Sequence, residues 1–416
     1  MPATRNRVVI TGLGVITPLG NTVDSYWKGL LAGRSGAGRI TKFDTTGHSV
    51  TIAAEVKGFE AGSYMDPKEA KRMDLFSQYA VAAARDAVVD SHIDFSKEDR
   101  FRCGAIIASG IGGLHEMQEQ DKKFNEKGPS RISPFFVPKM MLNAAAGQIA
   151  IAHGLGGPNW GVASACASAN HAMGTALRTI QYGDADVVLT GGSEAAMTYL
   201  AIAGFSNMGA LSTRNDAPEL ASRPFDKNRD GFLLGEGAAI LVFEKLEHAQ
   251  ARGARIYAEV LGIGNSDDAY HITAPDPDGT GGAYAMNAAL RDAGLKPEQL
   301  SYINAHGTST PLNDKIETAA IKRTLGDYAR KIPISSTKSM IGHLLGAAAA
   351  AELVATVLSI RDSVVHPTAN YETPDPECDL DYVPGSSRKV DVQYAMSNSL
   401  GFGGHNSAII VGKFHK

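Results

Sequence analysis

Four short segments of this chain carry residues able to do chemistry. The first, Val162-Ala163-Ser164-Ala165-Cys166-Ala167-Ser168, sets a cysteine among small residues, just ahead of a helical pattern from about Ala167 to Tyr182 that Gly183 stops. A thiol at a helix start faces unpaired backbone N–H groups and the positive end of the macrodipole, which together favour the thiolate. A buried structural cysteine is the competing reading. The second segment, Asn304 to Pro311, places His306 in a loop of hydroxyls and glycine. The third, Ser335 to His343, holds Lys338 and His343 in a polar loop before a small-residue helix. The fourth, Ser397 to Gly404, is a glycine-rich turn between two strand patterns. Each is weak alone: a loop histidine is commonly structural, and GFGG lacks the strand-to-helix context of a phosphate loop. All four, however, follow apolar strand patterns, at the strand ends where α/β proteins gather function. One thiol, two imidazoles and a lysine, without metal-ligand spacing, point to nucleophilic acyl chemistry.

The elements that must position these groups alternate. The β-branched run Arg7–Ile10 reads as a first buried strand ending in a glycine-rich turn at Thr11–Gly14, with helical pattern near Val23–Ala32. Pro67–Val89 reads as one helix with Phe76, Tyr79, Ala80, Ala83 and Ala87 on a single face. Strands are expected at Arg102–Ser109, at Asp186–Thr190 closed by Gly191-Gly192, and at Ala238–Phe243. The polar, then aromatic stretch Glu116–Pro138 reads as an excursion over an active site. After the polar stretch 245–256 the theme repeats. Strands are expected at Tyr257–Ile263, Leu300–Asn304, Ile334–Ser336, Tyr394–Asn398 and Ser407–Val411, with helices at Gly282–Ala293, Asp314–Leu325 and Leu345–Ile360. Two β/α halves of similar order imply α/β logic and an internal duplication.

Composition excludes several classes. A formal net charge of −4 gives no global attraction to nucleic acid or an anionic membrane. Three scattered cysteines, Cys103, Cys166 and Cys378, make neither a disulfide framework nor a zinc site and suit a reducing compartment. The longest weakly polar stretch, Gly346–Ile360, is alanine-rich and interrupted by Glu352, so no membrane span is expected, and the broken N-terminal run does not read as a signal peptide. The expectation is a cytoplasmic protein.

In combination the segments resemble the β-ketoacyl-[acyl carrier protein] synthases, the condensing enzymes of fatty acid synthesis, and most nearly the elongating type II enzyme. The similarity runs from VVITGLGVITPLG through ALSTRNDAPELASRPFDKNRDGF and SSTKSMIGHLLGAA to GFGGHNSAII. It implies a thiolase-like fold of duplicated β/α halves in a layered α-β-α-β-α core. The N-terminal half, residues 1–250, would carry the nucleophile with cap and dimer insertions; the C-terminal half, residues 251–416, would carry the two histidines and the gating loop.

By the same resemblance Cys166 takes an acyl chain as a thioester, with the backbone N–H groups of Cys166 and Phe402 as its oxyanion hole. His306 and His343 act as neutral donors to the enolate formed when malonyl-[acyl carrier protein] loses CO2. Lys338 supports His343. Phe402 also gates the acyl pocket, which Ile111 and Phe205 line. Thr273, Thr308 and Thr310 line the phosphopantetheine channel, and Lys68, Lys71 and Arg72 match carrier-docking positions. Asn304, Glu352, Ser397 and Asn398 match residues around a monovalent cation; for Glu352 a salt bridge to Lys338 stands as an equal reading. No cofactor is expected beyond the phosphopantetheine that arrives on the carrier, and the partners implied are acyl carrier protein and a second copy of the chain. Leu400, where the family usually has Phe, and His405, where Thr is common, depart from the pattern beside the gate. A polyketide or other specialised ketosynthase stays open. A degradative thiolase fits less well, because both synthase histidine motifs are present, and a Cys–His hydrolase would need only one histidine.

Overall fold

The computed structural model describes residues 5–415. Ten strands form its main sheet: β1 (Val8–Ile16), β2 (Cys103–Ala108), β3 (Asn159–Val162), β4 (Val187–Glu194), β5 (Gly237–Lys245), β6 (Ala258–Asp267), β7 (Tyr302–Asn304), β8 (Ile334–Ser335), β9 (Tyr394–Gly401) and β10 (His405–Gly412). Their spatial order is β8-β7-β9-β10-β6-β1-β5-β4-β2-β3. The first five strands run β1-β5-β4-β2-β3 and the last five run β6-β10-β9-β7-β8, the same sequence of partners. The pairing senses also match: antiparallel, antiparallel, parallel, parallel in each set. The two sets join where Val8–Ile10 pairs with Ala258–Val260.

Helices cover three levels. Leu75–Ser91 packs on β1, β4 and β5 from outside, and Thr280–Ala293 packs on β6 and β10 on the opposite flank. Ser168–Gln181 and Ala348–Asp362 touch strands of both sets and so form the middle layer of an α-β-α-β-α stack. In the Ala348–Asp362 helix every residue from Ala348 to Ile360 is buried, which an alanine-rich helix without a polar face allows. The largest apolar cluster fills this middle layer, and separate clusters lie under each outer flank. The thiolase-like expectation is met.

Three local expectations are corrected. The glycines of Thr11–Gly14 do not turn; they are strand, and β1 runs on to Ile16. A Cβ on Gly12 or Gly14 would come within 2.2 or 2.0 Å of the carbonyl oxygens of Ala87 and Ala83, so bare backbone here lets the Leu75–Ser91 helix lie against the strand. A Gly14→Ala variant is therefore expected to lose about 3 kcal/mol of stability, read as a lower denaturation midpoint; an unchanged midpoint would remove this account. Likewise Gly191-Gly192 does not close β4, which continues to Glu194. Finally, Pro67–Val89 is two helices, Pro67–Ala70 and Leu75–Ser91, because the Asp74 side chain accepts the Phe76 N–H and starts a new helix.

Candidate active site

The nucleophile segment leaves β3 and enters the Ser168–Gln181 helix through a tight elbow in which Ala165 takes φ +47°. An alanine in the left-handed region costs about 1 kcal/mol or more, and the elbow lifts the next residue toward the cavity. Cys166 lies there, 9% exposed, just ahead of the helix as its position in sequence suggested. Its electrostatics differ from the sequence expectation. Burial pushes the thiol up to about 11, outweighing the pull of Lys338 and of the Phe402 N–H hydrogen bond to the sulfur. The resting sulfur is thus a protonated thiol. Alkylation of Cys166 by iodoacetamide is expected to speed up about tenfold per pH unit from pH 7 toward pH 11 as the thiolate fraction grows. A rate that levels off near pH 8 would contradict this.

Both histidines converge on that sulfur. His343 Nε2 lies 3.1 Å from Cys166 Sγ, while its Nδ1 accepts the Leu345 N–H at 3.1 Å. His306 Nδ1 accepts from Lys338 Nζ at 3.2 Å. Each Nδ1 lone pair being engaged by a donor, the hydrogen-bond network assigns the proton of each ring to Nε2. Burial, then the positive charge of Lys338, holds both imidazoles neutral, with the other histidine as a further cause at His306. Their rings meet edge to face at 5.4 Å. The sulfur and one ring nitrogen from each histidine lie within 4.8 Å of one another, a spacing a soft metal ion could bridge. The donor set does not fit one: both Nε2 atoms already carry protons, and the Lys338 ammonium repels a cation. Two N–H donors aimed at one point suit an oxyanion instead.

Lys338, 1% exposed, gives its hydrogen bond to His306, acts on His343 through its charge, and pairs with the carboxylate of Glu352. That ion pair bears out the salt-bridge reading of Glu352. It leaves Glu352 Oε2 without a partner, and Asn304 Oδ1 and Ser397 Oγ are also buried and unpartnered. Ser397 stands opposite Asn304 in the β9–β7 ladder. Buried oxygens that lack a donor are of the kind that ligate a small cation. Asn398 Oδ1 is buried and unpartnered as well, while its Nδ2 donates to Glu317 at 3.3 Å.

The glycine-rich turn Phe402–Gly404 joins β9 to β10. A Cβ at Gly401 would come within 3.1 Å of the Cys166 nitrogen, a tight approach that the bare backbone avoids where the turn passes the nucleophile. Gly403 donates its N–H to Ile272 O at 2.7 Å, tying the turn to the loop that carries Thr273. Cys166, His306, His343 and Phe402 line one cavity of about 560 Å³. Ile111, Phe205, Thr273, Thr308, Thr310 and the departing residue Leu400 line it too. Phe205 packs edge to face on Phe232, which packs the same way on His343. The Thr308 and Thr310 hydroxyls bond each other at 2.9 Å, and Thr310 also caps the Pro311–Leu325 helix. Lys68, Lys71 and Arg72 are exposed and do not line the cavity; Arg72 pairs with Glu69 and lies over the Phe135 ring.

Sequence reasoning missed three buried acids that hold these loops. Glu194, at the end of β4, accepts from the Ser109 hydroxyl and from the N–H groups of Gly110, Ile111 and Gly346. It thereby ties the Ile111 turn to the loop after His343. Glu317 accepts the N–H groups of His306 and Gly307, both at 2.8 Å, and burial pushes its carboxyl up to about 7. Asp314 accepts those of Thr308 and Ser309. The available signals were an acid closing an apolar strand in GGSE, and two acids three residues apart in NDKIE.

A duplicated layered α/β fold with a thiol, two neutral imidazole donors and a backbone donor in one apolar cavity defines a condensing acyltransferase of the thiolase-like kind. Residues 5–249 match the β-ketoacyl synthase N-terminal domain, and residues 257–372 the C-terminal domain. A 3-oxoacyl-[acyl-carrier-protein] synthase 2 of Staphylococcus aureus is 52% identical over 408 residues, covering 98% of each chain. One from Synechocystis is 53% identical over 410 residues, covering 99% of each. Among solved structures, a β-ketoacyl synthase from Burkholderia phymatum superposes with a TM-score of 0.92 at 37% identity, over 99% of this chain and 100% of that one. A type II polyketide ketosynthase solved with its acyl-carrier protein gives the same TM-score, identity and coverage. The chain belongs to the β-ketoacyl synthase family.

Proposed function

We propose that this enzyme elongates fatty acyl chains by decarboxylative condensation on acyl carrier protein, with Cys166, His306, His343 and Phe402 as the groups that touch the reacting atoms. The observation that carries this is the meeting of the Cys166 sulfur with one nitrogen of each neutral histidine, in a cavity that Phe402 also lines. In the first half-reaction the Cys166 sulfur attacks the carbonyl of acyl-S-carrier. The bond to the carrier sulfur breaks, and the Cys166 proton ends on the departing carrier thiol. The N–H groups of Cys166 and Phe402 hold the intermediate oxyanion. In the second, malonyl-S-carrier loses CO2. The electrons of the broken C–C bond enter an enolate whose oxygen accepts from His306 and His343 Nε2–H. The enolate carbon attacks the Cys166 thioester, and the expelled sulfur takes up one proton. The reaction needs no cofactor of the chain's own.

Incubating the protein with malonyl-carrier and a ladder of acyl-carriers tests this. The expected product by mass spectrometry is the 3-oxoacyl-carrier two carbons longer, with CO2. Thioester hydrolysis without malonyl-carrier would overturn it in favour of a hydrolase. A specialised polyketide role is the second reading within the family; the 52–53% identity, over nearly the whole chain, to relatives named 3-oxoacyl-[acyl-carrier-protein] synthase 2 supports the first.

The wider setting follows the same reading. The chain divides into halves at 1–250 and 251–416, supported by the matched strand orders. Lys68, Lys71 and Arg72 dock the acidic carrier, so reversing their charge raises KM for carrier-borne substrates and leaves KM for small thioesters unchanged; an equal change in both sinks the docking role. Asn304, Glu352, Ser397 and Asn398 hold a monovalent cation, tested by whether potassium or sodium raises the melting temperature above that in a bulky organic cation. The enzyme acts in the cytoplasm as a homodimer, the latter checked by light scattering; among the described residues no helix is long and apolar enough to cross a membrane.

A further inference from the structure

Behind the nucleophile, away from the cavity, lies a contact chain that the mechanism does not use. Ser164 is pinned twice to the first turn of the Ser168–Gln181 helix. Its N–H donates to Ser168 Oγ at 2.8 Å, and its own Oγ lies 2.5 Å from His171 Nδ1. Ser168 Oγ in turn donates to Ala165 O at 2.6 Å, and Ala167 N donates to Ser164 O at 3.1 Å. These bonds enclose the residue held at φ +47° and fix the elbow that presents Cys166. An isolated left-handed alanine relaxes unless its flanks are held.

The other face of His171 meets the gate. Its ring lies edge to face on the His405 ring with centroids 6.3 Å apart. His405 opens β10 directly after the gating turn, pairs across the ladder with Gly401 and Asp267, and sets Nδ1 3.4 Å from Asp267 Oδ2. A Cβ on Gly403 would fall 3.1 Å from the His405 ring, so that ring packs on the bare backbone of the turn. Burial, and secondarily His405, holds His171 below its ordinary value and hence neutral. His171 thus lies between the two backbone segments that supply the oxyanion donors: Cys166 on one side, and on the other Phe402, which lines the same cavity.

We propose that His171 is a positioning residue for acyl transfer, holding Ser164 on the nucleophile elbow and seating the His405 end of the gating turn so that the N–H groups of Cys166 and Phe402 face the same thioester oxygen. It rests on the roles assigned above to Cys166 and Phe402. It acts only on the acyl-transfer oxyanion hole; the enolate donors His306 and His343 are held by Lys338 and by the Leu345 N–H, on separate elements. The spacing Ser164-x-Cys166-x-Ser168-x-x-His171 carries the device in sequence.

The test separates the half-reactions in the full-length protein. Replacing His171→Leu is expected to slow formation of the Cys166 acyl-enzyme on the order of 10–100-fold, the scale of a sub-ångström to 1 Å misplacement, while CO2 release from malonyl-carrier stays within about twofold. His171→Asn, whose Oδ1 can take the place of Nδ1 toward Ser164, restores most of the acylation rate. Ser164→Ala cuts the other end of the same bond without removing a ring, and provides the test should the leucine variant not fold. It lowers acylation as His171→Leu does, and the double variant falls no further than either single one. Equal loss of both half-reactions together with a lower melting temperature shows a merely structural histidine and overturns the proposal, as does an unchanged acylation rate. The modified residue is located by peptide mass spectrometry: acyl adduct at a site other than Cys166 removes the assignment beneath the proposal, whereas adduct at Cys166 at unchanged rate removes the proposal alone.

Discussion

Cys166→Ala abolishes the covalent acyl-enzyme and lowers condensation by about ten-thousand-fold or more, the scale seen when an essential nucleophile is removed. The expectation is specific to this thiol. Cys103 and Cys378 are also buried, and burial pushes each up to about 12, but neither lines the cavity. Decarboxylation of malonyl-carrier persists in the variant, because neither imidazole owes its orientation to the sulfur: the Leu345 N–H fixes His343 and Lys338 fixes His306. Intact-protein mass after exposure to acyl-carrier and CO2 release from malonyl-carrier report the two steps separately. A stable acyl adduct elsewhere in the variant, or condensation at the parent rate, defeats the assignment. A decarboxylation rate that vanishes along with acylation defeats the independence of the two donor sets.

The parts of this enzyme legible in its sequence are those where one residue type has one use. A cysteine among small residues before a helix, and histidines just past apolar strands, announced themselves, and the structure brings all three together. The duplicated order of strands was visible because buried strands read as short apolar runs. What stayed hidden depends on partners far along the chain. Gly12 and Gly14 look like a turn until the carbonyls of Ala83 and Ala87 are laid against them. Asp74 starts a helix within what reads as one continuous periodic face. That the hydrogen bond of Lys338 goes to His306, which arrives from another strand end, and not to His343 five residues on, is set by the fold. The thiol itself was misjudged electrostatically: the sequence shows the helix start but not the burial that outweighs it. Glu194 and Glu317 escaped for a related reason, since a buried acid that collects backbone N–H groups looks, in sequence, like a surface residue.

His306→Ala separates the second half-reaction from the first more cleanly than any change at His343. His343 Nε2 touches the sulfur at 3.1 Å, so its loss also changes the surroundings of the nucleophile. His306 bonds Lys338 on one side, is held by the Glu317 carboxylate through its backbone N–H, and makes no hydrogen bond to Cys166. Removing one of two donors to a developing oxyanion costs about 100- to 1,000-fold, and that loss is expected in CO2 release from malonyl-carrier, with acyl-enzyme formation held within about tenfold. Equal losses in both steps would contradict the division of labour. The companion change explains why the ring must be placed this way. Lys338→Met removes the donor to His306 Nδ1, freeing the ring to exchange tautomers and withdraw its Nε2–H from the enolate. It also leaves the fully buried Glu352 carboxylate unpaired, an additional cost of about 3–5 kcal/mol in stability. Pairing it with Glu352→Gln recovers the stability but not the decarboxylation rate, because the glutamine removes the unpaired charge while the proton on His306 stays unfixed. Recovery of both by the double variant would show that Lys338 serves only to balance Glu352, and that the His306 tautomer is set elsewhere.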